Sequence, residues 1–195
     1  MQPEMVRAIL DGRKTQTRRT KGLEEINKEP DKYEYKRPLF PVEKIGFHYF
    51  DEKPPKGKNP TTSKVVNAKC SIGDIFWVRE TFRIGAWDEE GNMAFDYKAS
   101  PELKKTPWCF MGDWYEKEVI KIVDELDKKG IEPNSIGDYE WESGKSPLNW
   151  KPSIFMPKAA CRIWLKVTDV RAERLHEISE LDARCEGIKG RVFQS

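Results

Sequence analysis

The sequence has 195 residues, of which 37% are hydrophobic and 35% are charged, and its formal net charge is +2. This length predicts a single domain, 1–195, with a modest core and much polar loop. No apolar run approaches the ~18 residues of a membrane span, and no secretion signal is evident, so we expect a cytoplasmic protein without membrane contact. The four cysteines form no C-x-x-C pair and only two histidines are present, so we expect no metal site and no cofactor.

Charge is unevenly distributed along the chain. Residues 13–21 contain five basic residues and no acid, whereas residues 113–142 contain ten acids and four bases. The basic run suits an anionic ligand, although charge on both segments could equally be solvated surface.

The first predicted element is a short helix over Met5–Leu10, with Pro3 in its first turn and Gly12 past its end. Thr15–Arg19 is predicted to be extended, because it alternates and is rich in Thr. The segment from about residue 20 to 64 contains many prolines, so we predict an irregular insertion there.

A turn at Gly73-Asp74 precedes a short apolar run, Ile75–Val78, which predicts a buried strand. Residues 83–149 are predicted to be a second insertion, which contains a helix. Its helix is predicted over Tyr115–Lys129, with an apolar stripe that faces the core and Gly130 past its end.

The last part of the chain has three predicted features. They are an extended segment fixed by Pro152 and Pro157, a strand over Ala160–Val170 and a helix from a Ser179 cap through Cys185. Short strands and a few small helices predict an α+β domain built around a small, mostly antiparallel β-barrel.

Lys14 is the residue of the basic run that is best suited to act as a catalytic base. Burial and neighbouring cations lower the pKa of a lysine, so Lys14 could act as a base and activate Thr15 or Thr17. A carboxylate would have to assist, and Glu80 and Glu186 are candidates. The alternative is that Lys14 and the arginines only bind phosphate or are solvated.

Four motifs, in this order, resemble the ASCH family, and in particular its phage- and prophage-encoded branch. They are Gly12-x-Lys14-x-x-Thr17-x-Arg19, Gly73–Glu80, Trp150–Pro157 with Arg162-Ile163, and Glu173 through Ile188. The resemblance implies a PUA-like β-barrel with peripheral short helices, which recognises RNA or a modified nucleoside.

The first motif also matches the G-R-K-T-x-T-x-R pattern of small bacterial N4-acetylcytidine amidohydrolases. That resemblance implies that Lys14 is a base, Thr17 a nucleophile and Glu186 a proton shuttle. Further residues expected to contact substrate or nucleic acid are Arg13, Thr15, Arg18, Arg19, Trp77, Arg79, Glu80, Ser153 and Arg162. A non-catalytic RNA- or nucleotide-binding domain and a nuclease remain as alternatives, and the sequence leaves the oligomeric state open.

Overall fold

The structure is a computed structural model, and it describes residues 1–36, 47–54, 56–58, 63–100, 108–174 and 177–187. The chain divides into two compact units. The first unit comprises Met1–Gly12 and Trp77–Ile163, and the second comprises Arg13–Phe76 and Trp164–Ser195. Within the described residues, no helix is long and apolar enough to cross a membrane.

The elements are those of a mixed α+β protein with antiparallel sheets and few helices. The helices are α1 (Pro3–Leu10), α2 (Glu24–Lys28), α3 (Asp113–Lys128) and α4 (Glu180–Cys185). The strands are β1 (Tyr33–Lys36), β2 (Phe47–Glu52), β3 (Ser63–Asn67), β4 (Ile75–Trp77), β5 (Phe82–Trp87), β6 (Asn92–Tyr97), β7 (Cys109–Phe110) and β8 (Trp164–Lys166). Among the described residues these strands form three separate sheets, in the orders β1-β2-β3, β4-β8 and β5-β6-β7.

The core of the first unit lies between its sheet and α3. β5 pairs antiparallel with β6, and the register shifts between Ile84 and Ala86. Ile122 and Leu126 project from α3, four residues apart on one face, and both are buried. They pack against Phe82, Ile84, Met93, Phe95, Tyr97, Met111, Leu148, Met156 and Ala160. Burying each large apolar side chain stabilises the unit by about 1.5–3 kcal/mol.

The second unit has a smaller core, formed by Ile26, Tyr33 and Phe50. β2 pairs antiparallel with both β1 and β3. The alternating burial along β2, in which His48 and Phe50 are buried, is that of a sheet with one covered face. Tyr35 lies beside both, with its ring 5.4 Å from the ring of Phe50.

The predicted helices over Met5–Leu10, Tyr115–Lys129 and Ser179–Cys185 are confirmed, each to within two residues. The sequence also predicts an irregular segment over residues 20–64, and the structure differs. That segment contains α2, β1, β2 and the start of β3. Each strand is only four to six residues long, so its alternating pattern was too short to recognise among the prolines and charged residues.

Two strand predictions also need correction. The sequence predicts that the run Ile75–Val78 is buried, but Ile75 is 63% exposed and Phe76 is 45% exposed, since β4 pairs with only one neighbour among the described residues. The strand predicted over Ala160–Val170 is reduced to β8. A 3₁₀ turn over Lys158–Ala160 occupies its beginning.

Candidate functional site

The basic run of the second unit is held against α4 and the residue that follows it. The backbones of Lys14 and Glu186 form an antiparallel bridge. The N–H groups of Thr15 and Gln16 donate to the Cys185 carbonyl, at 2.8 and 3.0 Å. These contacts bring the first motif of the sequence to the last one.

The capping residues of α4 explain how its end reaches that position. The Ser179 hydroxyl accepts from the Asp182 N–H, and the Asp182 carboxylate accepts from the Ser179 N–H, which completes a capping box. Gly187 follows the helix with φ of 86°, a conformation that favours glycine. The short helix therefore has a defined start and end, and Glu186 is fixed at its C-cap.

Burial alternates along the basic run. Lys14, Gln16 and Arg18 are half-buried, whereas their neighbours are exposed. The run therefore has an inner face toward the α4 segment and an outer face toward solvent, and the outer face consists of Arg13, Thr15, Thr17 and Arg19.

Lys14 is held by backbone oxygens. Its Nζ donates to the carbonyls of Gln16 and Glu186, at 2.7 and 3.0 Å. Partial burial lowers the pKa of Lys14, the Arg19 charge lowers it further, and the Glu186 charge opposes both. Burial is the main cause of the lowered pKa, and the Arg19 charge lowers it by less than the Glu186 charge raises it.

The Glu186 carboxylate faces a guanidinium. Arg18 donates to Glu186 Oε1 at 2.8 Å and to Glu173 Oε2 at 3.2 Å. Hydrogen bonding to Glu186 raises the pKa of Arg18, so this arginine is positively charged throughout the working range of pH. Arg171 also pairs with Glu173 and approaches Asp182 at 3.7 Å. Arg18, for which the sequence predicts a ligand contact, is engaged by carboxylates of its own chain.

Thr17 lies on the outer face, apart from the Lys14 ammonium. Among the described residues, Lys14 Nζ is hydrogen-bonded to the two carbonyls and not to the Thr17 hydroxyl. The structure thus brings Lys14 and Glu186 together and leaves Thr17 on the other side of the run. A nucleophile on Thr17 would need this segment to rotate before Lys14 could accept its proton.

The remaining predicted contacts belong to the first unit and form a group of their own. The Arg79 guanidinium lies 4.5 Å from the centre of the Trp77 ring, and it donates to the Ile154 carbonyl. The Ser153 hydroxyl accepts from the amino group of Met1 at 2.7 Å. These contacts keep residues 77–79 beside residues 153–154.

Glu80 and Arg162 form a buried ion pair in the first unit. Glu80 is fully buried, and Arg162 donates to both of its carboxylate oxygens, at 2.8 and 2.7 Å. Ser100 accepts a third bond from Arg162, and the Tyr97 ring lies under the guanidinium at 4.2 Å. This arrangement satisfies both charges internally, which is how a buried pair is tolerated.

Sequence reasoning identified Glu186 but not Asp182 or Glu173 as acidic partners of the basic run. Gln16 donates to Asp182 at 3.3 Å, and Glu173 receives Arg18. The capping-box spacing located Asp182 on α4, but no pattern linked it to residue 16. Glu173 belongs to a motif whose ion-pair partner only the tertiary structure reveals.

None of the protein-family models, curated proteins or solved structures compared with this chain matches it. Membership of the ASCH family therefore stays a prediction from the four motifs. Any function must be argued from the contacts described above.

Proposed function

We propose that the chain recognises RNA or a modified nucleoside through the outer face of residues 13–19, in a domain of the PUA-like barrel type. The observation that supports this is the backbone bridge between Lys14 and Glu186. The bridge holds a segment whose exposed side chains carry two guanidinium groups and two hydroxyls.

The chemistry of that face suits a nucleic acid. Guanidinium groups bind phosphate oxygens bidentately, and threonine hydroxyls both donate to and accept from base edges. The Lys14 and Arg18 side chains hold the segment in place, because they donate to a backbone carbonyl and to the Glu186 carboxylate. Because the segment is already held in place, little conformational entropy would be lost when the exposed arginines bind a ligand.

A second candidate function is hydrolysis of an N4-acylated cytidine. The observation that favours it is the lowered pKa of Lys14 beside Glu186. After the segment rotates, Thr17 would attack the amide carbonyl and form an acyl ester, while Lys14 would take the hydroxyl proton and pass it to the departing nitrogen, so that cytidine leaves as the neutral amine. Water would then release the acyl group as a carboxylic acid.

Binding is tested with a labelled oligoribonucleotide at several salt concentrations. We expect Arg13→Ala and Arg19→Ala each to weaken binding, and to reduce the slope of log affinity against log salt by about 1 for each phosphate that is no longer bound. Arg184→Ala is the matched control, because Arg184 is an exposed arginine of α4 that pairs with Glu180. Equal losses of affinity in all three variants would contradict recognition by the outer face.

Hydrolysis is tested separately by release of cytidine from N4-acetylcytidine. Turnover by the wild type that is abolished in Lys14→Ala and Thr17→Ala supports the enzyme. If the wild type binds the oligonucleotide but turns over no N4-acylated cytidine, the chain is a binding domain.

A further inference from the structure

The first unit contains a cavity of about 230 Å³ that neither proposed activity uses. It is lined by Trp114, Glu118, Lys121, Lys151 and Phe155. Three of these residues lie on one face of α3, because positions 114, 118 and 121 are separated by four and three residues. The other two come from the segment after residue 150.

The floor of the cavity is a buried ion pair. The Glu118 side chain is only 4% exposed, and its carboxylate contacts the Lys151 ammonium and lies 3.4 Å from Lys121 Nζ. Burial lowers the pKa of Lys151. Lys151 cannot easily move away, since its backbone exchanges two hydrogen bonds with Phe82, of 2.7 and 3.2 Å.

The walls of the cavity are aromatic. Trp114 is fixed against the core, with its ring 6.4 Å from that of Phe95. Phe155 is 65% exposed, on a 3₁₀ turn over Ser153–Phe155. A phenyl group left in water is unfavourable, so an occupant that covers Phe155 would gain apolar burial as well as ring stacking.

The charges of the lining select among ligand classes. Lys121 and Lys151 against Glu118 leave a formal charge of +1. A cationic ligand would meet two ammonium groups, and a purely apolar one would strip water from the ion pair and return no hydrogen bond. A flat ring that bears an anionic group and an N–H donor would stack on the two aromatic rings, pair with Lys121 and donate to Glu118.

We propose that this cavity binds one nucleotide whose base carries an amino group. The base would lie between Trp114 and Phe155, its amino group would donate to Glu118, and its phosphate would face the exposed ammonium of Lys121. A protein cavity of about 150 Å³ can hold benzene, so a volume of about 230 Å³ admits one small base. The nucleotide could be free or part of a single strand.

Calorimetric titration of the full chain with cytidine 5′-monophosphate tests the proposal. We expect binding that Phe155→Ala weakens about tenfold, the loss typical of one stacked base. Ile154→Ala is the matched control, because Ile154 is a neighbouring exposed apolar residue outside the cavity. Lys121→Ala should weaken binding of the nucleotide but not of cytidine, whereas Lys128→Ala, on α3 outside the cavity, should weaken neither.

Further ligands test which base the cavity prefers and whether the nucleotide is free or part of a strand. Uridine 5′-monophosphate should bind about tenfold more weakly, since its carbonyl would face the Glu118 carboxylate. A cytidine-rich oligoribonucleotide that binds more tightly than the mononucleotide, with the same loss in Phe155→Ala, identifies a strand as the source. A mononucleotide that binds as tightly as the oligonucleotide identifies a free nucleotide.

The proposal is overturned if cytidine 5′-monophosphate shows no binding up to about 10 mM, or if Phe155→Ala and Ile154→Ala have the same effect. It does not depend on the outer face of residues 13–19. The loss in Phe155→Ala should therefore persist in an Arg19→Ala background, and failure of either proposal is seen without the other.

Discussion

Lys14 and Glu186 pair through their backbones although 172 residues separate them, and the Lys14 ammonium donates to the Glu186 carbonyl at 3.0 Å. The two side chains then have different roles. The ammonium is bound to backbone oxygens, and the carboxylate is bound to Arg18. Their mutual influence is therefore electrostatic, and it can be measured through the pKa of Lys14.

The neighbours of Lys14 are expected to shift its pKa in opposite directions. Arg19 lowers this pKa and Glu186 raises it. Replacing Arg19 by Gln should therefore raise the pKa of Lys14, and replacing Glu186 by Gln should lower it. NMR titration of the Lys14 side chain measures both, with Arg184→Gln as the control. Shifts of the same sign in the two variants would contradict the electrostatic account.

The same shift predicts how Lys14 affects stability. Its pKa is lower in the folded chain than in the unfolded one, so the folded state binds fewer protons between the two values. The stabilising contribution of Lys14 to the free energy of unfolding is fully present above the unfolded pKa of about 10.4, and it is lost as pH falls through the folded value. The difference in unfolding free energy between wild type and Lys14→Met should therefore grow as pH rises across that window. Denaturant titrations at several pH values test it, and an opposite slope would contradict it.

Breaking the ion pair of Glu80 and Arg162 should destabilise the first unit strongly. Arg162→Met leaves a fully buried carboxylate without its two guanidinium bonds, which costs about 3–5 kcal/mol. The double variant with Glu80→Gln should lose less, because no buried charge is left unpaired. Chemical denaturation followed by fluorescence measures the difference. A double variant as unstable as the sum of the single variants would exclude direct coupling.

Removing the cap of α4 should loosen the end of the candidate site. Ser179→Ala removes the hydroxyl that accepts from the Asp182 N–H, while the backbone N–H of residue 179 can still donate to the Asp182 carboxylate, and the loss should cost about 1 kcal/mol. Because Glu186 is the C-cap of this short helix, hydrogen exchange of the Thr15 and Gln16 amides, which bond to Cys185, should become faster. Leu181→Ala, a change at an exposed position of the same helix, serves as the control.

Whether a contact could be predicted from the sequence depended on how far apart its residues are along the chain. Ser179 and Asp182 are three residues apart, and the stripe of α3 repeats within two turns, so local pattern was sufficient for both. The sheet of β1, β2 and β3 was missed because its strands are short and separated by prolines. Glu186 was expected beside Lys14 only from the resemblance, and the partners of Arg18 and Glu80 were not predicted, since each of these pairs joins residues more than eighty positions apart.

The division of the chain has a consequence for its synthesis. Residues 77–163 interrupt the second unit. The ribosome therefore completes the first unit before it adds Glu186, the backbone partner of Lys14. Glu186 follows Lys14 by 172 residues, so at ~5–20 residues per second the ribosome adds it roughly 9–34 s after Lys14. During this interval the basic run is on the nascent chain without its carboxylate partners. A chaperone or nucleic acid that meets the emerging chain would then encounter Arg18 before Glu173 and Glu186, which pair with it in the folded chain, have been made.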